Sequence, residues 1–167
     1  MIFKFLSKNF YISFSIVALI YFLDRLSKIY VIQLDKNNLG SDIFNSAYLN
    51  IVLIWNKGIA FGLFSFDESH LYNILSLIIS IIVVILVIMS LKSHGFKRYS
   101  LIMIIGGALG NLHDRIFFNA VPDFIDFHVG NFHWFIFNVS DIFITLGVIS
   151  MIILELADNK TEKQNND

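Results

Sequence analysis

LYNILSLIISIIVVILVIMSL, residues 71–91, runs for 21 positions without a charged side chain. At ~1.5 Å per residue, a helix of that length crosses the ~30 Å hydrocarbon core of a bilayer. Buried core helices of soluble proteins rarely hold so long an apolar run, so the segment reads as a transmembrane helix. The rest of the chain agrees with it. Hydrophobic residues make up 56% of the 167 positions. The mean hydropathy of +0.71 is too high for a soluble globular domain of this size. Eighteen phenylalanines and a single proline suit long helices facing lipid.

Working outward from this helix, three more spans can be marked. One precedes it, from about Phe10 to Leu34, interrupted by Asp24, Arg25 and Lys28. Two follow, from near Tyr99 to Asp114-Arg115 or slightly beyond, and from about Trp134 to Leu154. Lys4 and Lys8 ahead of the first span resemble a secretory leader, but no small-x-small cleavage site follows, so the segment is read as retained. Residues 1–167 are expected to form one membrane-embedded domain, with 158–167 a polar, disordered tail.

Lysines and arginines set the expected orientation. Lys4 and Lys8 precede the first span, and Lys92, Lys97 and Arg98 connect the second to the third. Between Asp35 and Ser69 only Lys36 and Lys57 stand against four acids. Both termini are therefore placed in the cytoplasm and two loops outside. In the larger outer loop, Tyr48 to Trp55 is rich in β-branched and aromatic residues and reads as a small β element. Phe64 to His70 reads as a short interfacial helix. The expected fold is an all-α polytopic membrane protein of four transmembrane helices with these two extracytoplasmic additions.

A net charge of −1 and the lack of any basic stripe argue against a nucleic-acid partner. The chain has no cysteine, which excludes disulfides, thiolate catalysis and iron–sulfur clusters.

Charged groups inside spans are costly and need a partner or a task. Counting along the spans, Asp24 lies about 20 Å from the cytoplasmic end of the first, and Asn111 and Asp114 about 18–23 Å along the third. Asp141 lies about 10 Å below the outer end of the fourth. Three helices thus carry polar residues to one outer layer. Asp24 and Lys28 are spaced i,i+4 and are expected to pair and orient their helix. Asn111, Asp114 and Arg115 share a face, as do Asn138 and Asp141. Asp114 is expected to hold helix ends together, with Arg115 as a substrate clamp. Gly106 and Gly110, four apart, would let another helix approach closely.

Asp123 in VPDFIDF, read as a loop, and Asp141 in FNVSD are the candidates for catalysis. Two carboxylates at one depth can share a proton, because like charges so close do not both ionise. The ionised member then takes a proton from water while the other donates to a carbonyl oxygen, which hydrolyses an amide without serine, cysteine or metal. Paired intramembrane aspartates also occur in transporters and metal-dependent enzymes, so spacing alone leaves those readings open. Ser140 has no G-x-S-x-G setting. His128 and His133 do not match HExxH, and His113 is isolated from both, so the histidines are expected to be interfacial or structural and no metal site is assigned. Asp126 is expected to order its loop.

These blocks together resemble a known family, the bacterial lipoprotein signal peptidases (type II signal peptidases). DRLSK at 24–28 resembles the family's D-x-x-[ST]-K, and WNKGIAFG at 55–62 resembles its N-x-G-x-A-F-G loop. GGALGNLHDR at 106–115 resembles G-G-A-x-G-N-x-x-D-R. VPDFIDF and FNVSD resemble the two segments carrying the catalytic aspartates. The resemblance implies cleavage of a prolipoprotein just before a diacylglyceryl-modified cysteine, in the bacterial inner membrane, by an enzyme that needs no cofactor. It implies Asp123 and Asp141 as the catalytic pair. Asn111, Arg115 and Asn138 would bind substrate, with Asn56 near the mouth of the site. A single copy is expected to suffice, with membrane lipid as its surroundings.

Two positions depart from the family pattern. Asn119 stands where a glycine is usual, and asparagine tolerates the left-handed region that a turn there needs. Ser140 replaces an alanine, and its hydroxyl is expected to tune Asp141 by hydrogen bonding. The rival readings are a small proton-coupled carrier and a metal-dependent membrane transferase using Asp123, Asp126 and Asp141. The carrier would need acids spread through the membrane, and the transferase would fail in excess chelator. A non-enzymatic assembly partner leaves the polar layer without a reason.

Overall fold

A computed structural model describes residues 8–37, 43–58 and 69–166. In chain order the elements are α1 (Lys8–Asn37), β1 (Phe44–Asn45), β2 (Leu49–Asn56), α2 (Ser69–Lys92), α3 (Gly95–Phe118), β3 (Val121–Val129), β4 (Phe132–Phe137) and α4 (Val139–Asn166). Among the described residues, three stretches are long and apolar enough to cross a membrane: Tyr72–Lys92, Gly95–Phe118 and Val139–Asp158.

The helix α1 is 30 residues long, more than a bilayer requires, but it carries Asp24, Arg25 and Lys28. All three of these charges are buried, while Phe14, Leu19, Phe22, Leu26 and Ile29 are exposed. Its polar stripe therefore faces protein and its apolar stripe faces outward, the inverse of a helix in water.

At the centre stands α3, in contact with the other three helices. Its glycines make this possible. A β-carbon at Gly106 would meet Ile20 of α1 at 2.9 Å. One at Gly107 would overlap the Ser140 carbonyl of α4, and one at Gly110 would overlap both Ser140 Oγ and the Asp24 carboxylate. Gly147 answers from α4, where a β-carbon would stand 2.7 Å from the Ser100 carbonyl. Without a hydrophobic drive between helices in lipid, close backbone approach supplies the packing. By contrast α2 exposes most of its apolar side chains, Ile78, Ile81, Val84 and Ile85 among them.

The β strands form one antiparallel sheet in the order β1-β2-β3-β4. The expected strand over Tyr48–Trp55 is β2. The sheet is larger than expected, however. VPDFIDF is strand β3 rather than a loop, and α4 begins at Val139 rather than Trp134, because Phe132–Phe137 forms β4. A short apolar run does not reveal by periodicity whether it is strand or helix. What decides it is Gly130-Asn131, a two-residue hairpin turn whose glycine has φ of 59°. Asn119 ends α3 in the left-handed conformation (φ 53°, ψ 23°), as expected of an asparagine there, and lets the chain turn directly into β3.

The helix α4 runs on through residues 158–166, the segment expected to be a disordered tail. Glu, Lys and Gln are good helix formers, and an existing helix propagates without a new nucleus. The interfacial helix expected at Phe64–His70 lies outside the described residues, save Ser69 and His70, which open α2.

Candidate active site

Two elements deliver the carboxylates. Asp123 sits near the start of β3, opposite Ile54 of β2. Asp141 sits in the first turn of α4. The start of that helix is a reciprocal cap. Asn138 Oδ1 accepts the Asp141 N–H at 3.2 Å, and Asp141 Oδ2 accepts the Asn138 N–H at 3.1 Å. This is a capping box built from asparagine and aspartate, and the helix end itself sets the Asp141 rotamer. Asn138 also donates from Nδ2 to Asp123 Oδ1 at 2.6 Å. One buried residue thus reaches both carboxylates, Asp123 through its side chain and Asp141 through its backbone N–H, and joins β4, α4 and β3.

Asn56, at the end of β2, donates to the other Asp123 oxygen at 2.8 Å. Asn111, on α3, donates to Asp141 Oδ1 at 2.8 Å. Each of the three asparagines has its own carbonyl oxygen taken by a group that can only donate. Asn111 Oδ1 receives the Lys28 ammonium at 2.8 Å, Asn56 Oδ1 the Gly58 N–H at 2.8 Å, and Asn138 Oδ1 the Asp141 N–H. That assignment leaves each amide one orientation, with its NH2 toward an aspartate. The sequence reading placed Asn56, Asn111 and Asn138 against substrate; in this arrangement all three hold carboxylates.

Behind Asn111 lies a cluster of four charges. Lys28 Nζ is 2.9 Å from Asp24 and 2.7 Å from Asp114, and Arg25 Nη2 is 3.2 Å from Asp24 and 2.6 Å from Asp114. The expected Asp24–Lys28 pair is present, and Asp114 does bind helices together, α3 to α1. Arg25 was given no role in the sequence reading. Its signal was charge balance, since two acids and only one lysine leave a buried negative charge over. Asp24 also reaches α4, accepting the Ser140 N–H at 3.0 Å. The Ser140 hydroxyl is buried without a hydrogen-bond partner among the described residues, so it does not bond Asp141 as expected.

Arg115 does not pair with Asp114. Its two terminal nitrogens donate to the carbonyls of Asn111 and Gly58, each at 3.2 Å, tying α3 to the segment after β2. Its Nε is buried and without a hydrogen-bond partner among the described residues.

Asp123 is 3% exposed. Burial, and after it the charge of Asp141, pushes its carboxyl from 3.8 up to about 6, against the pull of the Asn56 and Asn138 hydrogen bonds and of the Lys28 charge. Asp141 also lines an apolar groove of about 620 Å³, walled by Phe127, Trp134, Phe137, Ile142 and Leu146. An acid poised near neutrality beside a second carboxylate, at the edge of an apolar groove, is suited to proton exchange with an apolar substrate.

The remaining candidates fall elsewhere. His113 bonds the Tyr21 hydroxyl at 2.9 Å within the α1–α3 contact, a structural place. Asp126 receives Asn50 Nδ2 at 3.2 Å and meets His133 Nδ1 at 2.9 Å, away from the paired aspartates.

The family model described as Signal peptidase (SPase) II matches residues 16–157. The lipoprotein signal peptidase of Pelagibacter ubique (strain HTCC1062) is 48% identical over 160 residues, covering 95% of this chain and 96% of that one. The lipoprotein signal peptidase of Anaplasma phagocytophilum (strain HZ) is 44% identical over 136 residues, covering 80% and 85%. A bacterial membrane enzyme solved by the in meso method at 2.3 Å resolution superposes with a TM-score of 0.73 at 29% identity, over 89% of this chain and 90% of that one. With a family model over most of its length and relatives this similar, the chain belongs to the signal peptidase II family.

Proposed function

We propose that this chain removes signal peptides from diacylglyceryl-modified prolipoproteins, cleaving before the lipid-bearing cysteine with Asp123 and Asp141 as an aspartic pair. The observation that carries the reading is the set of three asparagine amides aimed at two carboxylates. Such a frame serves groups whose protons matter; a purely structural ion pair needs no neutral donors on both members. One carboxyl, ionised, takes a proton from water; its partner, protonated, donates to the scissile carbonyl. Neither step requires a metal or organic cofactor. Family membership does not favour the carrier or transferase alternatives.

The membrane arrangement belongs to the same proposal. With its charges buried against α3 and α4, α1 serves as the first of four spans. Both termini then lie in the cytoplasm of a bacterial inner-membrane protein, and the sheet with the aspartates lies at the outer face. The described site draws on one copy of the chain, and we take the enzyme to act as a monomer and as a single domain. A reporter inserted near Asp42 should be extracytoplasmic and one between Lys92 and Arg98 cytoplasmic; the reverse pattern would remove the outer-face site.

The direct test is incubation of the purified protein with a lipid-modified prolipoprotein and with its unlipidated form. Cleavage of the first and little of the second is expected, because the lipid sets the depth of the scissile bond. Equal cleavage of both would discard lipid positioning, and no cleavage of either would discard the reading.

Arg115→Ala should lose most activity while inserting normally, since it removes both the tie to Gly58 and the free Nε donor. Had Arg115 served only to neutralise Asp114, adding Asp114→Ala would restore function. Because Asp114 instead binds Arg25 and Lys28, the double variant should stay inactive, and recovery in a cleavage assay would refute the clamp.

A further inference from the structure

On the β3–β4 hairpin, three potential ligands that the proposed catalysis does not use converge. His128 and His133 are direct cross-strand partners, one pair short of the hairpin turn. Their rings stack with centroids 4.9 Å apart and an interplanar angle of 18°. Asp126 lies two residues before His128, and His133 Nδ1 stands 2.9 and 3.1 Å from its two oxygens. One nitrogen or oxygen from each of the three residues falls within 4.8 Å of the others.

We propose that Asp126, His128 and His133 form a binding site for a first-row divalent transition-metal ion, with zinc the best match. The donor set is two imidazoles and one carboxylate, which suits zinc and its neighbours rather than magnesium or calcium, whose sites are built from oxygen. Zinc bonds of ~2.0–2.1 Å in a tetrahedron put neighbouring ligand atoms about 3.4 Å apart, so the present spread needs only side-chain rotation. The rings have that freedom on one side, because the His133 side chain is 52% exposed.

Two observations make the cluster more than a surface coincidence. Asp126 is 4% exposed, and Asn50 donates to its Oδ2 at 3.2 Å. A ligating carboxylate is commonly steered by such an outer hydrogen bond. His128 Nδ1 is buried and has no hydrogen-bond partner among the described residues. Stacked imidazoles beside a buried carboxylate leave that nitrogen without a use, and a cation between them supplies one. Strand pairing holds the two histidine backbones in register, so the site is largely organised before a metal arrives. Three protein ligands leave a fourth position for water. An ion here would tie β3, which carries Asp123, to β4, which leads into Asn138 and Asp141.

The test uses the full chain in detergent, without a polyhistidine tag, stripped with chelator and dialysed. Titration with Zn²⁺ should show one ion per chain by calorimetry, and Co²⁺ should give the visible absorption of a tetrahedral site. His128→Phe, which keeps a ring in the stack, and His133→Phe should each weaken binding by more than ~10-fold, the least that loss of a mere supporting contact costs a metal site. Asp123→Asn should bind as the parent does. Zn²⁺ should raise the melting temperature of the parent and not of the histidine variants, whose metal-free melting checks that they fold. No saturable binding by the parent, undiminished binding by His128→Phe, or loss of binding in Asp123→Asn would each overturn the proposal. None of these readouts depends on proteolysis, so the site stands or falls apart from the proposed peptidase activity.

Discussion

Asp123→Asn and Asp141→Asn should each cut cleavage by roughly 100- to 10,000-fold, the range that a positioned acid or base contributes. The amide keeps the shape of the carboxyl and removes its titratable proton. It also turns one oxygen into an NH2 that faces a donor. In Asp123→Asn that donor is Asn56 or Asn138, and in Asp141→Asn it is Asn111 or the Asn138 backbone. Such a confrontation costs about 1–3 kcal/mol. That is less than the ~5–15 kcal/mol holding an ordinary domain together, so both variants should fold. Cleavage assays paired with melting in detergent make the distinction. Full activity in either folded variant would end the assignment of the pair.

The same pair predicts a titration. Asp123 should take up its proton near pH 6 rather than near 3.8. Since its pKa is raised on folding, its contribution to stability is full below 3.8 and is lost as pH rises through about 6. Part of the rise comes from Asp141, so Asp141→Asn should move the Asp123 midpoint downward, followed by isotope-edited infrared spectroscopy of the carboxyl band. An unchanged midpoint would mean that the two carboxyls do not sense each other.

Lys28→Met is expected to have the second large effect. The lysine is fully buried and its ammonium contacts Asp24, Asp114 and Asn111 at once. Without it, two carboxylates share Arg25 alone, and the cluster carries an uncompensated charge. Breaking a buried ion pair from one side costs about 3–5 kcal/mol. Adding Asp114→Asn returns the cluster to neutrality and should recover much of that stability. It should not recover activity, because the ammonium also fixes the Asn111 amide that faces Asp141. Stability is read from detergent unfolding and activity from cleavage. A stable Lys28→Met protein would remove the stabilising role, and a double variant that regains full activity would remove the role in fixing Asn111.

Three of the expected spans were legible because an apolar run of membrane length has few other meanings, and the buried charges because such groups in apolar runs are conspicuous. What sequence spacing did not convey was how the polar groups pair. Asp114 and Arg115 are neighbours, yet their partners come from α1 and from Gly58, which depends on how helices rotate against one another. That Asn56, Asn111 and Asn138 aim their amides at the aspartates is not visible in sequence either; an amide's orientation follows from which obligate donor reaches its oxygen. Phe132–Phe137, which is strand β4, reads in sequence as the start of the last expected span because it is apolar and short. The N-x-x-D of residues 138–141 is in fact a helix-start signature, and would have placed the boundary correctly.

The three asparagines have a consequence for how the pair meets acid and base. An amide neither gains nor loses a proton in any medium where the protein survives, so the frame around Asp123 and Asp141 is deaf to pH. Histidines or further carboxylates in those places would make the frame shift its own charge whenever the carboxyls shift theirs. Here both Asp123 oxygens already receive an NH2, and so do not offer those lone pairs to a proton. The mobile proton is thereby confined to the directions left open, and a change of acidity relocates it without remodelling the walls that hold it.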